Sequence, residues 1–81
     1  MDASEIRRSV LSLLLEIAPE IEPDSIRNDK SLRDQVDIDS IDYLKLLTAI
    51  HERLGVEIPE ADYARVTTLD DLVAYLAARR R

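Results

Sequence analysis

The stretch Asp37-Ile38-Asp39-Ser40-Ile41-Asp42-Tyr43-Leu44 places a serine at the predicted start of a helix, directly behind an acidic loop. A serine there could attack a substrate, help hold a cation, or be modified. Attack requires a general base beside the hydroxyl and a preorganised oxyanion site. The single histidine, His51, lies on the same predicted helix, about 16 Å away at about 1.5 Å per residue, so it cannot act as that base within one molecule. The single glycine, Gly55, is too far away to form an oxyanion turn at Ser40. Cation binding fares no better. Asp34, Asp37, Asp39 and Asp42 form a cluster, but it lacks the central Gly and terminal bidentate Glu of an EF-hand loop. An exposed, unactivated Ser40 is better suited to being modified than to attacking. Asp and Ser are also ordinary capping residues, so the tripeptide alone specifies little.

The elements that must position Ser40 are legible from spacing. Ile6, Val10, Leu13, Leu14 and Ile17 repeat at intervals of three and four, which predicts a first helix over residues 3–18. Asp2 with Glu5 offers a capping box at its start, and Pro19 stops it. About twenty residues without sustained periodicity follow, to Asp39. Ile26, Leu32, Val36 and Ile38 are expected to pin this loop to the core, and Ser31 with Asp34 to start one turn carrying Leu32. The second long helix is predicted from Ser40 to Leu54, capped by Asp39 and ended by Gly55. Tyr43, Leu46, Leu47, Ile50 and Leu54 form its core stripe, and Ile41, Leu44 and Thr48 a second, partly apolar row. Pro59 suits the first position of a short helix through about Val66 that supplies Tyr63 to the core. Thr68 with Asp71 caps a last helix bearing Leu69, Leu72, Val73 and Leu76, and Arg79, Arg80 and Arg81 favour its C-terminal dipole.

These elements predict an all-α fold: a small antiparallel bundle of three main helices plus one short helix, with a long loop between the first two main helices. Composition agrees, with 46% hydrophobic residues, one Gly, three Pro and no Phe or Trp among 81 residues. Residues 1–81 are expected to form a single domain. A domain this small buries only about 60% of its unfolded surface. With zero Cys and one His, it has no disulfide or structural metal to compensate. The formal charge of −6 argues against nucleic acid and anionic membrane as partners. The acidic start Met1-Asp2-Ala3-Ser4-Glu5 lacks the basic region of a secretory signal, and the apolar run from Val10 to Ala18 is too short to span a bilayer. A cytoplasmic, monomeric protein is expected.

Taken together, the sequence resembles the acyl carrier proteins and related phosphopantetheine-binding carrier domains. The resemblance covers nearly the whole chain: an amphipathic first helix, a long loop, an Asp-Ser-Leu-type motif represented by Asp39-Ser40-Ile41, and a second helix of mixed hydrophobic and acidic character. Val56-Glu57-Ile58-Pro59-Glu60 is similar to the family's segment before its short third helix, and Val66-Thr67-Thr68-Leu69 to the start of its last helix. The resemblance implies that Ser40 receives 4′-phosphopantetheine from coenzyme A, through a phosphodiester made by a separate phosphopantetheinyl transferase. It further implies a free-standing, non-enzymatic carrier of thioester-linked acyl groups in fatty-acid, polyketide or related biosynthesis. Asp39, Ile41, Asp42 and Leu44 would then belong to the surface that the transferase and acyl-processing enzymes read. The local run of acids, uninterrupted by a cation from residue 34 to residue 42, would steer enzymes with basic docking patches.

Three departures from the family pattern bear on partner choice. Asp37 stands where the family commonly has Gly, and Lys45 and His51 occupy helix positions that are often acidic in fatty-acid carriers, with Arg53 nearby. They fit a carrier dedicated to another pathway. The alternatives are an aminoacyl or peptidyl carrier protein, and an unmodified helical interaction module sharing the same pattern. In carriers that shelter their cargo, an aliphatic core of this kind parts to admit the acyl chain.

Overall fold

The structure, a computed structural model describing residues 2–36 and 38–79, is built around α1 (Ala3–Ile17), α2 (Leu32–Gln35), α3 (Ser40–Leu54) and α4 (Leu69–Arg79). Two short 3₁₀ helices, Pro23–Ser25 and Glu60–Arg65, interrupt the connections. Asp37, Arg80 and Arg81, to which the sequence reading assigned charge, lie outside the described residues.

Local chemistry sets the boundaries of the three long helices. Asp2 Oδ1 accepts the Glu5 N–H at 2.9 Å and caps α1. Its apolar stripe of Ile6, Val10, Leu13 and Leu14 is buried, along with Leu11, whereas Ile17 is half-buried. Thr68 Oγ1 accepts the Asp71 N–H at 3.0 Å at the start of α4, whose Leu69, Leu72 and Leu76 are fully buried. Gly55 takes φ +71° and ψ +20° and ends α3 in the left-handed conformation that glycine adopts without steric cost. α1 packs against both α3 and α4.

The crossover between α1 and α3 is ordered by long-range contacts. Ile26, Leu32, Val36 and Ile38 are all buried, as their apolar character requires. Gln35 secures the intervening turn, since its side-chain amide donates to Arg27 O at 2.8 Å and Lys30 O at 3.0 Å. Asn28 O accepts the Asp70 N–H at 2.9 Å, and the Leu32 N–H donates to Thr67 O at 2.8 Å, so the crossover is fastened to the start of α4.

Three expectations change. Ser31 does start α2, but through its backbone carbonyl, which accepts the Asp34 and Gln35 N–H groups; its side chain makes no cap bond. The residue is drawn into an isolated antiparallel bridge with Thr68. Pro59 precedes the short helix rather than opening it, because its ψ of 152° is extended, and that helix is 3₁₀. Arg79 does more than face a dipole: its guanidinium lies 3.7 Å from the Tyr75 ring centroid and 3.9 Å from Asp62 Oδ2.

Candidate functional site

The start of α3 is shaped by a cap. Asp39 is extended, at φ −89° and ψ −177°, and its Oδ1 accepts the Asp42 N–H at 2.9 Å. This bond satisfies one backbone donor that a helix start leaves open, and it makes Ser40 the first helical residue. Ser40 is exposed, and its Oγ accepts a hydrogen bond from Arg33 Nη2 at 3.2 Å. The hydroxyl can be reached from solvent, and among the described residues no imidazole or carboxylate accepts its proton.

One turn of helix then presents two kinds of surface. Tyr43, Leu46 and Leu47 turn into the core, while Ile41 and Leu44 remain 65% and 47% exposed. Among the described residues these are the large hydrophobic side chains left in solvent. Asp42 is half-buried and its carboxylate lies 4.0 Å from Lys45 Nζ, an exposed pair of little energetic weight. Thr48 donates its hydroxyl to Leu44 O at 2.9 Å, which removes the hydroxyl from the surface chemistry of this row. His51 is exposed. Arg53 is not a free surface charge, because it reaches across to Glu16 of α1 at 3.3 Å.

Beside Ser40 lies a groove of about 430 Å³, between α3 and the 3₁₀ helix Glu60–Arg65, lined by Arg33, Tyr43, Leu44, Tyr63, Ala64 and Thr67 among others. Two fixed contacts hold its walls. Tyr43 donates its buried hydroxyl to Val66 O at 2.6 Å, joining α3 to the end of the 3₁₀ helix. Burial pushes the Tyr43 pKa up, partly opposed by the nearby Arg33 charge, so the hydroxyl stays protonated and remains a donor. On the far side, Tyr75 of α4 donates to Asp62 Oδ2 at 2.6 Å, with Arg65 3.5 Å from Asp62 Oδ1. The Tyr75 hydrogen bond, reinforced by Arg65 and Arg79, lowers the Asp62 pKa; the same bond raises that of Tyr75, partly opposed by the two guanidinium charges.

The structure therefore places Ser40, Ile41, Asp42 and Leu44 on the first turns of α3, with Asp39 as the cap before them. Sequence reasoning missed Arg33 and the groove wall formed by Tyr63, Ala64 and Thr67. Arg33 sits on a helix of four residues, too short for periodicity to register which way its side chain points. Among the described residues no cluster of three or more His, Asp or Glu side chains is arranged to hold a metal ion. None of the described helices is long and apolar enough to cross a membrane.

This arrangement offers an accessible hydroxyl oxygen beside a groove, with neither a base bonded to it nor a metal-holding cluster among the described residues. The family model described as "Phosphopantetheine attachment site" matches residues 8–76. The chain belongs to the acyl carrier protein family. An acyl carrier protein of Rhodococcus erythropolis is 35% identical over 66 residues, covering 82% of this chain and 72% of that protein. An acyl carrier protein of Renibacterium salmoninarum is 35% identical over 72 residues, covering 85% and 89% of the two chains. A meromycolate extension acyl carrier protein of Mycolicibacterium aurum is 34% identical over 73 residues, covering 86% and 75%. This acyl carrier is accordingly not an enzyme but a substrate-bearing partner of enzymes, and its cofactor is covalent 4′-phosphopantetheine. It works with a phosphopantetheinyl transferase and with acyl-processing enzymes. The residues at the start of α3 fit that group, since Ser40 Oγ is solvent-accessible and opens beside a groove.

Proposed function

We propose that Ser40 is the residue that bears the arm. The observation that carries this reading is its placement: an exposed hydroxyl in the first turn of α3, fixed by the Asp39 cap and adjoining the groove. Ser25, by contrast, ends the short Pro23–Ser25 helix and donates its hydroxyl to Glu22 O. In the loading step, Ser40 Oγ forms a bond to the phosphorus that bears pantetheine in coenzyme A. The pyrophosphate P–O bond breaks, 3′,5′-ADP departs, and the serine proton passes to a base that the transferase supplies. Once attached, the arm supplies a terminal thiol that holds acyl groups as thioesters, a function that a chain with no cysteine cannot provide itself.

Asp39 and Asp42, flanking the exposed Ile41 and Leu44, form the docking face in this reading. Basic patches on partner enzymes are steered to the acids and then cover the two aliphatic side chains, with an on-rate that falls as salt rises. The naming of relatives as acyl carriers, including carriers for meromycolate extension, favours a fatty-acyl cargo over an aminoacyl one. We place the protein in the cytoplasm as a monomeric, single-domain carrier in acyl-chain biosynthesis. The test is intact-mass analysis after incubation with coenzyme A, magnesium and a broad-specificity transferase. The wild type should gain one phosphopantetheine and Ser40→Ala none; an unmodified wild type, or a modified Ser40→Ala variant, refutes the assignment.

A further inference from the structure

Arg33 is anomalous in its surroundings. Acids crowd the start of α3, with Asp34, Asp39 and Asp42 all nearby in sequence. Yet among the described residues the Arg33 guanidinium makes no ion pair and instead donates to the neutral hydroxyl of Ser40 at 3.2 Å. A long, charged side chain gains little from one exposed hydroxyl and loses rotamer freedom in holding that position. The arrangement becomes intelligible if that oxygen carries negative charge on an attached group. A phosphodiester on Ser40 Oγ places anionic oxygens beside the guanidinium, whose planar fork of donors suits phosphate. Arg33 also lines the groove, together with Tyr63 and Ala64, and its charge is felt by the Tyr43 hydroxyl at the groove wall.

We propose that Arg33 is a positioning residue for the prosthetic arm: it pairs with the phosphodiester on Ser40 and turns the arm over the groove between α3 and the Glu60–Arg65 helix. This rests on the assignment of Ser40 as the attachment residue. Pairing at the phosphate narrows the directions in which the arm can leave Ser40. The groove lining of Tyr43 and Leu44 from α3, and of Tyr63 and Ala64 from the Glu60–Arg65 helix, then meets the pantetheine portion. The arm of the free carrier rests against its own protein, and a partner enzyme must draw it away.

The experiment uses ¹⁵N-labelled wild type, Arg33→Gln and Arg33→Lys, each compared before and after loading, with loading verified by intact mass. A failure of wild type to gain mass defeats the Ser40 assignment, whereas every outcome below is read on fully loaded protein. In wild type, loading should shift the Arg33 Nε–H resonance and the backbone amides of Tyr63, Ala64 and Thr67, in addition to Ser40 and Ile41. In loaded Arg33→Gln, the shifts at Tyr63, Ala64 and Thr67 should fall by about two- to fivefold, the range commanded by an exposed ion pair, while those at Ser40 and Ile41 persist. Arg33→Lys, which keeps the charge, should retain more of the groove shifts than Arg33→Gln. The proposal is overturned if loading leaves Arg33 Nε–H unmoved in wild type, or if loaded Arg33→Gln shows the full wild-type shifts across the groove. The wild-type measurement alone decides the matter should either variant fold poorly.

Discussion

Replacing Tyr43 with Phe deletes one oxygen and leaves the ring in place, so it isolates the bond that closes the groove wall. That hydroxyl is buried and donates to Val66 O at 2.6 Å, across a sequence separation of 23 residues. Val66 is fully buried, and Val66 O has no other hydrogen-bond donor among the described residues. The substitution therefore removes a hydrogen bond and also leaves a carbonyl buried without a partner. Net loss of a bond is typically about 0.5–1.5 kcal/mol, and the orphaned carbonyl raises the total to about 1–3 kcal/mol. Against a total stability of about 4–12 kcal/mol for a chain of this length, the fraction lost is large. The melting temperature should fall by about 4–8 °C for each kcal/mol lost. Urea titration followed by circular dichroism measures the change. Tyr63→Phe serves as control, because the Tyr63 hydroxyl makes no hydrogen bond among the described residues; it should alter stability by less than about 0.5 kcal/mol. Equal stability of Tyr43→Phe and wild type would refute the reasoning, as would a loss no greater than that of the Tyr63 control.

Two further predictions concern the edges of the site. Asp62 has a lowered pKa, so its contribution to stability is present above the ordinary carboxylate value of 3.8 and is lost as pH falls through the lowered folded value. Tyr75 has a raised pKa, so its contribution is present below 10.0 and is lost as pH rises through the raised value. Asp62→Asn should thus lose less stability than wild type between pH 5 and about pH 2, measured by urea titration at each pH; parallel pH profiles would contradict the Asp62–Tyr75 contact. Ile41→Ser with Leu44→Ser should weaken binding to a phosphopantetheinyl transferase by about 10- to 100-fold, while lowering unfolding stability by about 1–3 kcal/mol, because each side chain is partly buried in the free protein. Calorimetry reporting unchanged affinity would remove these residues from the docking face.

What could be read from the sequence was what neighbours in the chain determine. Asp2, Asp39 and Thr68 each cap a residue three positions onward, and Gly55 takes the one positive φ among the described residues. Such interactions leave a signature at fixed spacing, so α3 runs over Ser40–Leu54 as its cap and terminator require. Ile41 and Leu44 stood apart for the same reason, since both fall off the stripe set by Tyr43, Leu47, Ile50 and Leu54, and the fold leaves both exposed. The interactions that escaped notice join residues whose separation carries no period. Tyr43 to Val66 exists only once the Glu60–Arg65 helix has folded against α3, and Leu32 to Thr67 and Asp70 to Asn28 only once the crossover has folded back on the start of α4. Ser31 illustrates the competition: its side chain matched a capping pattern, but pairing with Thr68 took the residue into a bridge, and its carbonyl became the cap. Arg33 was hidden by the same folding event, which brings α2 alongside the start of α3.

The two sides of α3 divide the work of a carrier. Its inner side is committed, with Leu46 and Ile50 fully buried and Tyr43 bonded across the core. Its outer side is left unsatisfied, and the amount left is informative. Scaling the worth of a fully buried aliphatic side chain by the exposures of Ile41 and Leu44 leaves about 2–3 kcal/mol for a partner to gain. Association itself costs an estimated 4–15 kcal/mol in lost freedom, so these two side chains cannot hold a partner alone. In the proposed docking face, the balance must come from the acids around them, whose attraction is long-ranged in encounter and weak once screened. A complex built this way forms quickly and does not persist, as a protein that passes its cargo between enzymes requires. Strengthening the apolar contact, for example by Ala49→Leu on the half-buried edge of the same outer depression, would therefore lengthen residence on each partner at the expense of transfer to the next.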